Sequence, residues 1–149
     1  MLRIKNILLA SELGDNSARA TEYARLFTTH FSAELHVIHV LENVLTNTPS
    51  FAGGLALNSY VHETPSVIER KIHLLFEPSW LLGKKLVAAT ADGEPGDQIL
   101  RYAKENSIDL IILGTHGRTG LTHILVGSVA EHVTRHSKCA VVVVPSRGG

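Results

Sequence analysis

Residues 109–128 have the sequence DLIILGTHGRTGLTHILVGS, and this stretch carries the strongest structural signal of the chain. The apolar run Asp109–Leu113 predicts a buried strand that ends at Gly114. A glycine-rich loop follows, and Gly127 and Ser128 open the next predicted helix. This order of elements indicates an anion site, because free backbone N–H groups of the loop and of the helix N-terminus converge beyond the strand.

On both sides of this stretch, further apolar runs alternate with helical patterns. The other predicted strands are Ile7–Ala10, Leu35–Leu41, Leu86–Ala91 and Ala140–Val144. The predicted helices run from about Asn16 to His30, from Ser66 towards Pro78, from Asp97 through Ala103, and from Val129 to about His136. Apolar strands separated by helices are typical of a parallel sheet that is covered on both faces. We therefore expect an α/β fold and a single domain over residues 1–149.

Local signals predict where several of these elements begin and end. Ser66 with Glu69 three residues later matches a capping box, and Asp97 is expected to cap the following helix. Pro78 is expected to end or kink the helix that Ser66 opens. The segment 42–63 lacks periodicity and contains glycine and proline, so it predicts a loop or a partly ordered insertion. The buried face of the first helix is predicted to hold Ala20, Ala24, Phe27 and Phe31.

Composition excludes several classes of protein. The chain has 14 Lys and Arg against 14 Asp and Glu, so it lacks the positive charge of a general nucleic-acid binder. No apolar run approaches the ~20 residues of a membrane span, and Ile7–Ala10 is too short for a signal-peptide core. The single cysteine, Cys139, allows no internal disulfide. We expect a cytoplasmic protein with no nucleic-acid or membrane partner.

Other common site motifs are absent from the sequence. The chain has no G-x-x-x-x-G-K-[ST] phosphate loop and no G-x-G-x-x-G dinucleotide fingerprint after the first strand. It also lacks the G-x-S-x-G nucleophile elbow and the H-E-x-x-H metal motif. The glycine-rich stretch is therefore the remaining candidate for a phosphate site, although a structural turn without a ligand is the alternative.

Together with its flanks, the glycine-rich stretch resembles the universal stress protein family. The family pattern G-x2-G-x9-G-[ST] is matched here by Gly114, Gly117, Gly127 and Ser128. The resemblance extends over nearly the whole chain, from Asn6–Ala10 at the first strand to Ala140–Pro145 at the last. It implies an open five-stranded parallel sheet of strand order 3-2-1-4-5 with helices on both faces. This architecture is Rossmann-like and similar to the adenine nucleotide alpha hydrolases.

Members of the family with this glycine pattern bind ATP, so the resemblance implies an ATP site, with or without Mg²⁺. In the order 3-2-1-4-5 the chain reverses between strands 1 and 4, and ligands bind at such switch points. The crevice there would lie above Ala10, Ser11, Glu12 and Gly114. Ala10 and Glu12 would flank the nucleoside, and Val40 and Leu113 would line the adenine pocket. The phosphates would be held by Gly114, Gly117, Gly127, Ser128 and Val129.

Two positions depart from the family pattern. Glu12 stands where the family usually has Asp, which is one methylene shorter, and Glu12 is alternatively a solvated turn residue. Ala130 stands where some nucleotide-binding members have Thr, so one phosphate or metal contact is missing. Two loop residues have open interpretations as well. His116 and Arg118 either face a phosphate or lie on the surface.

Histidine spacing bears on metal binding. His36 and His39 are three residues apart on one predicted strand, so they face opposite sides and do not share a metal ion. His132 and His136 are four residues apart on a predicted helix, a spacing that can bind a metal. The sequence offers no third ligand, and a solvent-exposed helix face is therefore favoured for this pair.

The resemblance and the residues of the predicted site leave three functions open. The first is an ATP-binding, nucleotide-responsive stress regulator whose loop Thr115–Val126 changes between bound and empty states. The second is slow ATP hydrolysis or phosphoryl transfer, for which Glu12 and Asp15 are the evident carboxylates and no general base stands out. The third is a ligand-free dimeric scaffold. The sequence favours binding over turnover, and we assign no catalytic residue.

The last strand predicts a partner. In the order 3-2-1-4-5 it forms an edge of the sheet, and an exposed valine-rich edge invites aggregation. Pairing with a second copy across a two-fold axis would remove this edge. We expect a homodimer through Ala140–Val144, with coverage of the edge by the C-terminal tail as the alternative.

Overall fold

A computed structural model of the chain describes residues 1–42, 63–115 and 127–146. Five strands lie within these ranges: β1 Asn6–Ala10, β2 Glu34–Leu41, β3 Leu86–Asp92, β4 Leu110–Gly114 and β5 Ala140–Val144. The described helices are α1 Ala18–Phe31, α2 Pro65–His73, α3 Pro78–Leu81, α4 Pro95–Glu105 and α5 Ser128–His136. A 3₁₀ turn, Asp15–Ser17, precedes α1. None of the described helices is long and apolar enough to cross a membrane.

The five strands form one parallel sheet in the order β3-β2-β1-β4-β5. β1 lies at its centre, where Leu8 is in register with His36 of β2 on one side and Ile111 of β4 on the other. The predicted fold class and strand order are therefore confirmed. The chain leaves β1 towards β2 and returns to β4 on the opposite side, so the switch point of the sheet lies between β1 and β4.

Two apolar cores cover the two faces of the sheet. Consecutive residues of β1 alternate between them, because successive side chains of a strand point to opposite faces. Ile7 and Leu9 belong to the core under α1 and α2, and Leu8 belongs to the core under α4 and α5. All three are fully buried, and burial of one such side chain contributes about 1.5–3 kcal/mol. Burial on both faces explains why β1 and its neighbours β2 and β4 are largely apolar without strict alternation.

The helix caps differ from the sequence prediction at two places. Thr64 caps α2 in place of Ser66, and its side chain accepts a hydrogen bond from Val67 N. Glu94 caps α4 in place of Asp97. In both cases a proline, Pro65 or Pro95, occupies the first helical position. Proline suits that position because its fixed φ is helical and it has no N–H to satisfy, so the cap falls on the preceding residue.

The buried face of α1 is also only partly as predicted. Ala20 and Ala24 are buried, but Phe31 is 39% exposed, and Thr28 takes the corresponding buried position. Small residues let α1 lie close to the sheet, whereas Phe27 and Phe31 stack on each other at the margin, 6.1 Å between ring centroids. Pro78 neither kinks nor ends α2. That helix has already ended at His73, and Pro78 begins α3.

Candidate functional site

A cavity of about 680 Å³ opens where β1, β2 and β4 end. The segment after β1 and the start of α1 form one side of the cavity, and the N-termini of α4 and α5 form the other. This is the switch point of the sheet, where open α/β folds bind their ligands. The volume falls within the ~300–1,000 Å³ typical of small-molecule sites.

The structure brings most of the sequence-predicted site residues to the wall of this one cavity. Those that line it are Ala10, Ser11, Glu12, Val40, Leu113, Gly114, Gly127, Ser128 and Val129. The other three, His116, Gly117 and Arg118, lie outside the described residues. Several other lining residues were not assigned to the site from the sequence, among them His39, Glu42, Pro95 and Ile99.

The segment after β1 is held in a fixed shape by hydrogen bonds to β2 and to the Ser11 hydroxyl. Ser11 is buried, its N–H donates to Ile38 O at 3.0 Å, and its Oγ accepts from Leu13 N at 3.1 Å. Leu13 has a φ of 63°, a left-handed conformation that is strained for a branched side chain. The Ser11 hydroxyl supports this turn, and the exposed Glu12 side chain consequently lies at the rim of the cavity.

His39 anchors the same segment from β2. It is only 6% exposed, and its Nδ1 lies 2.8 Å from the carbonyl oxygen of Ser11. A carbonyl oxygen only accepts hydrogen bonds, so Nδ1 carries the proton and the lone pair of the neutral ring is on Nε2. Among the described residues, Nε2 has no hydrogen-bond partner. His39 therefore adds an acceptor to the cavity wall.

The strand order could have identified His39. β2 lies beside β1, and His39 directly precedes Val40 at the carboxyl end of β2, so it reaches the segment after β1. His36 faces the other side of the sheet, where its Nδ1 lies 2.7 Å from the Tyr102 hydroxyl of α4. The prediction that the two histidines face opposite sides is confirmed.

Gly114 ends β4 at the cavity. A Cβ built at this position would meet only Val144 O, at 3.8 Å, which is an ordinary contact. Its backbone also lies outside the left-handed region. Within the described residues, neither the fold nor the backbone conformation requires glycine here. A requirement for glycine at 114 would therefore come from what occupies the cavity.

The N-terminus of α5 faces the cavity, and no side chain of the described residues caps its first N–H groups. The N-cap is Gly127, which has no side chain, and no described side chain caps the helix. Ser128 does not act as the N-cap, because it is already the first helical residue and is exposed. Uncapped N–H groups and the positive end of the helix dipole favour an anion at this position.

Among the described residues, all charged side chains that line the cavity are acidic. Glu12, Asp15 and Glu42 line it, and no described lining residue is Lys or Arg. A phosphate group would therefore be held mainly by backbone N–H groups or would enter together with a divalent cation. The arrangement can accommodate an apolar ring over Val40 and Leu113 and an anionic group at α5.

Comparison with known proteins gives a family assignment. The model of the universal stress protein family matches residues 3–145. Universal stress protein MJ0531 of Methanocaldococcus jannaschii is 30% identical over 141 residues, which cover 94% of this chain and 81% of that protein. Universal stress protein YxiE of Bacillus subtilis is 30% identical over 143 residues, which cover 93% of this chain and 97% of that protein.

Solved structures share the fold. Protein MJ0577 of M. jannaschii superposes with a TM-score of 0.77 at 26% identity, over 99% of this chain and 100% of that one. A universal stress protein in complex with cAMP has a TM-score of 0.65 at 20% identity, covering 97% and 98%. A universal stress protein from Archaeoglobus fulgidus in complex with dAMP has a TM-score of 0.57 at 18% identity, and the match covers 97% of this chain and 99% of that one. From the family match, the relatives and the shared fold, this chain belongs to the universal stress protein family.

Proposed function

We propose that this chain is a cytoplasmic ATP-binding universal stress protein that acts as a nucleotide-responsive regulator. The observation that carries the proposal is the cavity at the switch point between β1 and β4, into which the N-terminus of α5 opens without a side-chain cap from the described residues. The proposed nucleotide contacts are Ala10, Ser11, Glu12, Val40, Leu113, Gly114, His116, Gly117, Arg118, Gly127, Ser128 and Val129. Two solved proteins of the same fold were determined in complex with adenine mononucleotides, cAMP and dAMP.

The nucleoside end of the ligand is proposed to lie against β1 and β2. Val40 and Leu113 offer an apolar surface for the adenine ring, and both are at least half-buried. The Glu12 carboxylate at the rim is the proposed partner of a ribose hydroxyl, reached by a side chain one methylene longer than the aspartate of the family pattern. The acceptor on His39 Nε2 suits a donor on the ligand, such as a hydroxyl or an exocyclic amine.

The phosphate end is proposed to lie at the N-terminus of α5. Gly127 allows close approach of backbone to phosphate, and the exposed Ser128 hydroxyl is free of a capping role and can donate to a phosphate oxygen. Three carboxylates on the described wall would repel a bare triphosphate. We therefore expect ATP to bind as its Mg²⁺ complex.

Regulation by nucleotide requires two states that the ligand distinguishes. The loop Thr115–Val126 joins β4 to α5, so it connects Gly114 to Gly127 on the two sides of the proposed phosphate position. A bound triphosphate would favour the loop arrangement in which its N–H groups face the phosphates. The loop is the proposed element through which a partner protein senses the nucleotide.

A homodimer is proposed to form through β5. In the described residues β5 has β4 on one side only, and Val141, Val142 and Val143 remain half-exposed. Arg19 Nη1 donates to Pro145 O at 3.0 Å, which ties the chain after β5 to α1. A second copy that pairs along this strand would satisfy the edge N–H and C=O groups.

The test is native mass spectrometry of the purified protein, followed by heat denaturation and nucleotide analysis of the supernatant. We expect a dimer that carries about one ATP or ADP per chain, and a thermal shift of the emptied protein with millimolar Mg-ATP but a smaller one with Mg-GTP. Ser128→Ala should weaken Mg-ATP binding about fivefold, the effect of one hydrogen bond of about 1 kcal/mol.

The matched control is Ser66→Ala, which removes an exposed serine near the start of α2, away from the cavity. It should leave the thermal shift unchanged. An empty protein that shows no thermal shift with Mg-ATP would overturn the nucleotide proposal and leave the scaffold function. Phosphate release measured on the same preparation separates binding from slow hydrolysis, for which Glu12 and Asp15 at the cavity wall are the available carboxylates.

A further inference from the structure

Three metal-ligand side chains from two helices meet beside the cavity. Glu94 and Asp97 stand at the N-terminus of α4, and His132 stands in the middle of α5. One ligand atom from each lies within 4.8 Å of the other two, and this is the only such group within the residues that the structure describes. The sequence offered no third ligand for His132. The packing of α4 on α5 supplies two.

The geometry of the three side chains is set by the fold. The Glu94 carboxylate accepts hydrogen bonds from Gly96 N at 3.2 Å and Asp97 N at 2.7 Å, which fixes its orientation. His132 Nε2 lies 2.8 Å from Asp97 Oδ1. The three donors are thus arranged before any ion arrives, which reduces the entropy lost on binding.

Gly96 permits this arrangement. A Cβ at position 96 would lie 2.5 Å from Cδ2 of the His132 ring, closer than side chains can approach. The absence of a side chain at 96 therefore lets the imidazole lie against the first turn of α4. On its other side, the His132 ring contacts that of His136, 4.5 Å between centroids. His132 is consequently half-buried and restricted, unlike a histidine on a free helix face.

The charges of the cluster favour the binding of a cation. Two carboxylates face one imidazole, and a neutral imidazole balances neither of them. His132 donates a proton from Nε2 to Asp97, because a carboxylate oxygen only accepts. When a divalent cation binds Nε2, the single proton of the neutral ring moves from Nε2 to Nδ1.

We infer that Glu94, Asp97 and His132 bind one divalent transition-metal ion that links α4 to α5. One imidazole nitrogen and two carboxylate oxygens suit Zn²⁺ or Co²⁺, and solvent completes the coordination because both carboxylates are exposed. The metal site is formed by side chains that are not among the proposed nucleotide contacts. It therefore stands whether or not the cavity binds ATP.

The experiment is titration of the nucleotide-free protein with Co²⁺, followed by its visible absorption, with Zn²⁺ displacement and calorimetry to obtain stoichiometry and affinity. We expect one ion per chain and a higher melting temperature with Zn²⁺. Asp97→Asn and His132→Gln should each lower the affinity at least tenfold. Glu94→Gln keeps an oxygen for the helix cap and should lower it as well.

The matched control is His73→Gln, because His73 is a helical histidine outside the cluster, exposed on α2 with Nδ1 2.9 Å from Glu69 O. It should bind Zn²⁺ like the unaltered protein. Melting curves without metal confirm that each variant is folded. Absence of a bound ion at stoichiometric Zn²⁺, or affinity that is equal in all four variants, would overturn the inference.

Discussion

The two ends of the β1–β4 pair differ in how their polar groups are satisfied. At the amino end, Asp109 Oδ2 accepts from the backbone N–H of Lys5 at 2.8 Å and of Asn6 at 3.0 Å. Asp109 N donates in turn to Asn6 O at 2.9 Å. At the carboxyl end the same strands border the cavity, and α5 begins there without a described side-chain cap. One end of the pair is thus held by the chain's own groups, whereas the other is available to a ligand.

β2 repeats this contrast with two histidines. His36 lies in a closed network, in which its Nε2 donates to Glu34 Oε1 at 3.1 Å and its Nδ1 accepts from the Tyr102 hydroxyl. Lys85 Nζ lies 3.0 Å from the other Glu34 oxygen. His39, three residues later, has one bond to Ser11 O and borders the cavity. Changes at the closed end should therefore affect stability, and changes at the open end should affect binding.

The largest expected effect is at the closed end. Asp109→Ala removes a carboxylate that accepts two backbone N–H groups, and the free energy of unfolding should fall by about 2–3 kcal/mol, since hydrogen bonds to charged groups are the strong ones. Urea denaturation measures this loss. Asp109→Asn keeps one acceptor oxygen and should lose less. A matching loss of Mg-ATP affinity in the folded variant would contradict the separation of the two ends.

Gly114→Ala tests the open end. The added Cβ meets only an ordinary contact with Val144 O, so the free energy of unfolding should change by less than about 0.5 kcal/mol. If a nucleotide lies against this backbone, the methyl group obstructs it, and Mg-ATP affinity should fall about tenfold, or ~1.4 kcal/mol. Calorimetry of the variant and the unaltered protein measures the difference. Unchanged affinity would show that the ligand does not contact the end of β4.

His39 connects the two kinds of effect. His39→Ala removes the hydrogen bond to Ser11 O and should cost about 1 kcal/mol of stability, together with weaker nucleotide binding because the segment after β1 loses its anchor. His39→Asn offers an N–H near the position of Nδ1 and should recover part of both. Thermal melts with and without Mg-ATP separate the two losses. Equal binding in all three proteins would show that the anchor does not shape the site.

The smallest expected effect is a pH dependence at the closed end. Burial lowers the pKa of His36 below its ordinary value of 6.5, against the opposing influence of Glu34, which raises it. The unfolded chain therefore takes up a proton at higher pH than the folded one. The contribution of neutral His36 to the free energy of unfolding is fully present above pH 6.5. It declines as the pH falls below that value, until His36 is protonated in the folded chain as well.

The folded and unfolded chains differ by less than one bound proton at His36, so the effect on the free energy of unfolding is small. It is measured in urea titrations at several pH values, as the difference between the unaltered protein and His36→Gln. The subtraction removes the contribution of the other histidines. If the free energy of unfolding varied with pH equally in both proteins, the assignment to His36 would be contradicted.

Much of the fold was predictable from local signals. The apolar run at Ile7–Ala10 identified β1 because a parallel strand buried on both faces needs apolar side chains on both. The helix caps were less predictable. Thr64 and Glu94 cap their helices because Pro65 and Pro95 occupy the first helical position, a signal that outweighs the capping preference of Ser66 and Asp97.

The candidate site was predictable where it depends on strand ends and less so where it depends on neighbours across the sheet. Gly114 and Val40 reach the cavity because the carboxyl ends of parallel strands share one edge. The segments 43–62 and 116–126 lie outside the described residues, so the predictions for them remain predictions.

The sequence by itself determined the order of strands and helices along the chain, the parallel sheet and the glycine-rich stretch after the fourth strand. These features follow from periodicity and backbone chemistry, which act over a few neighbouring residues. Only the tertiary structure brought His132 to Asp97, 35 residues away in the chain, and His39 to the carbonyl of Ser11. Periodicity tells which face of a helix is buried, but the contacts of that face depend on how two helices pack, and here on the missing side chain of Gly96.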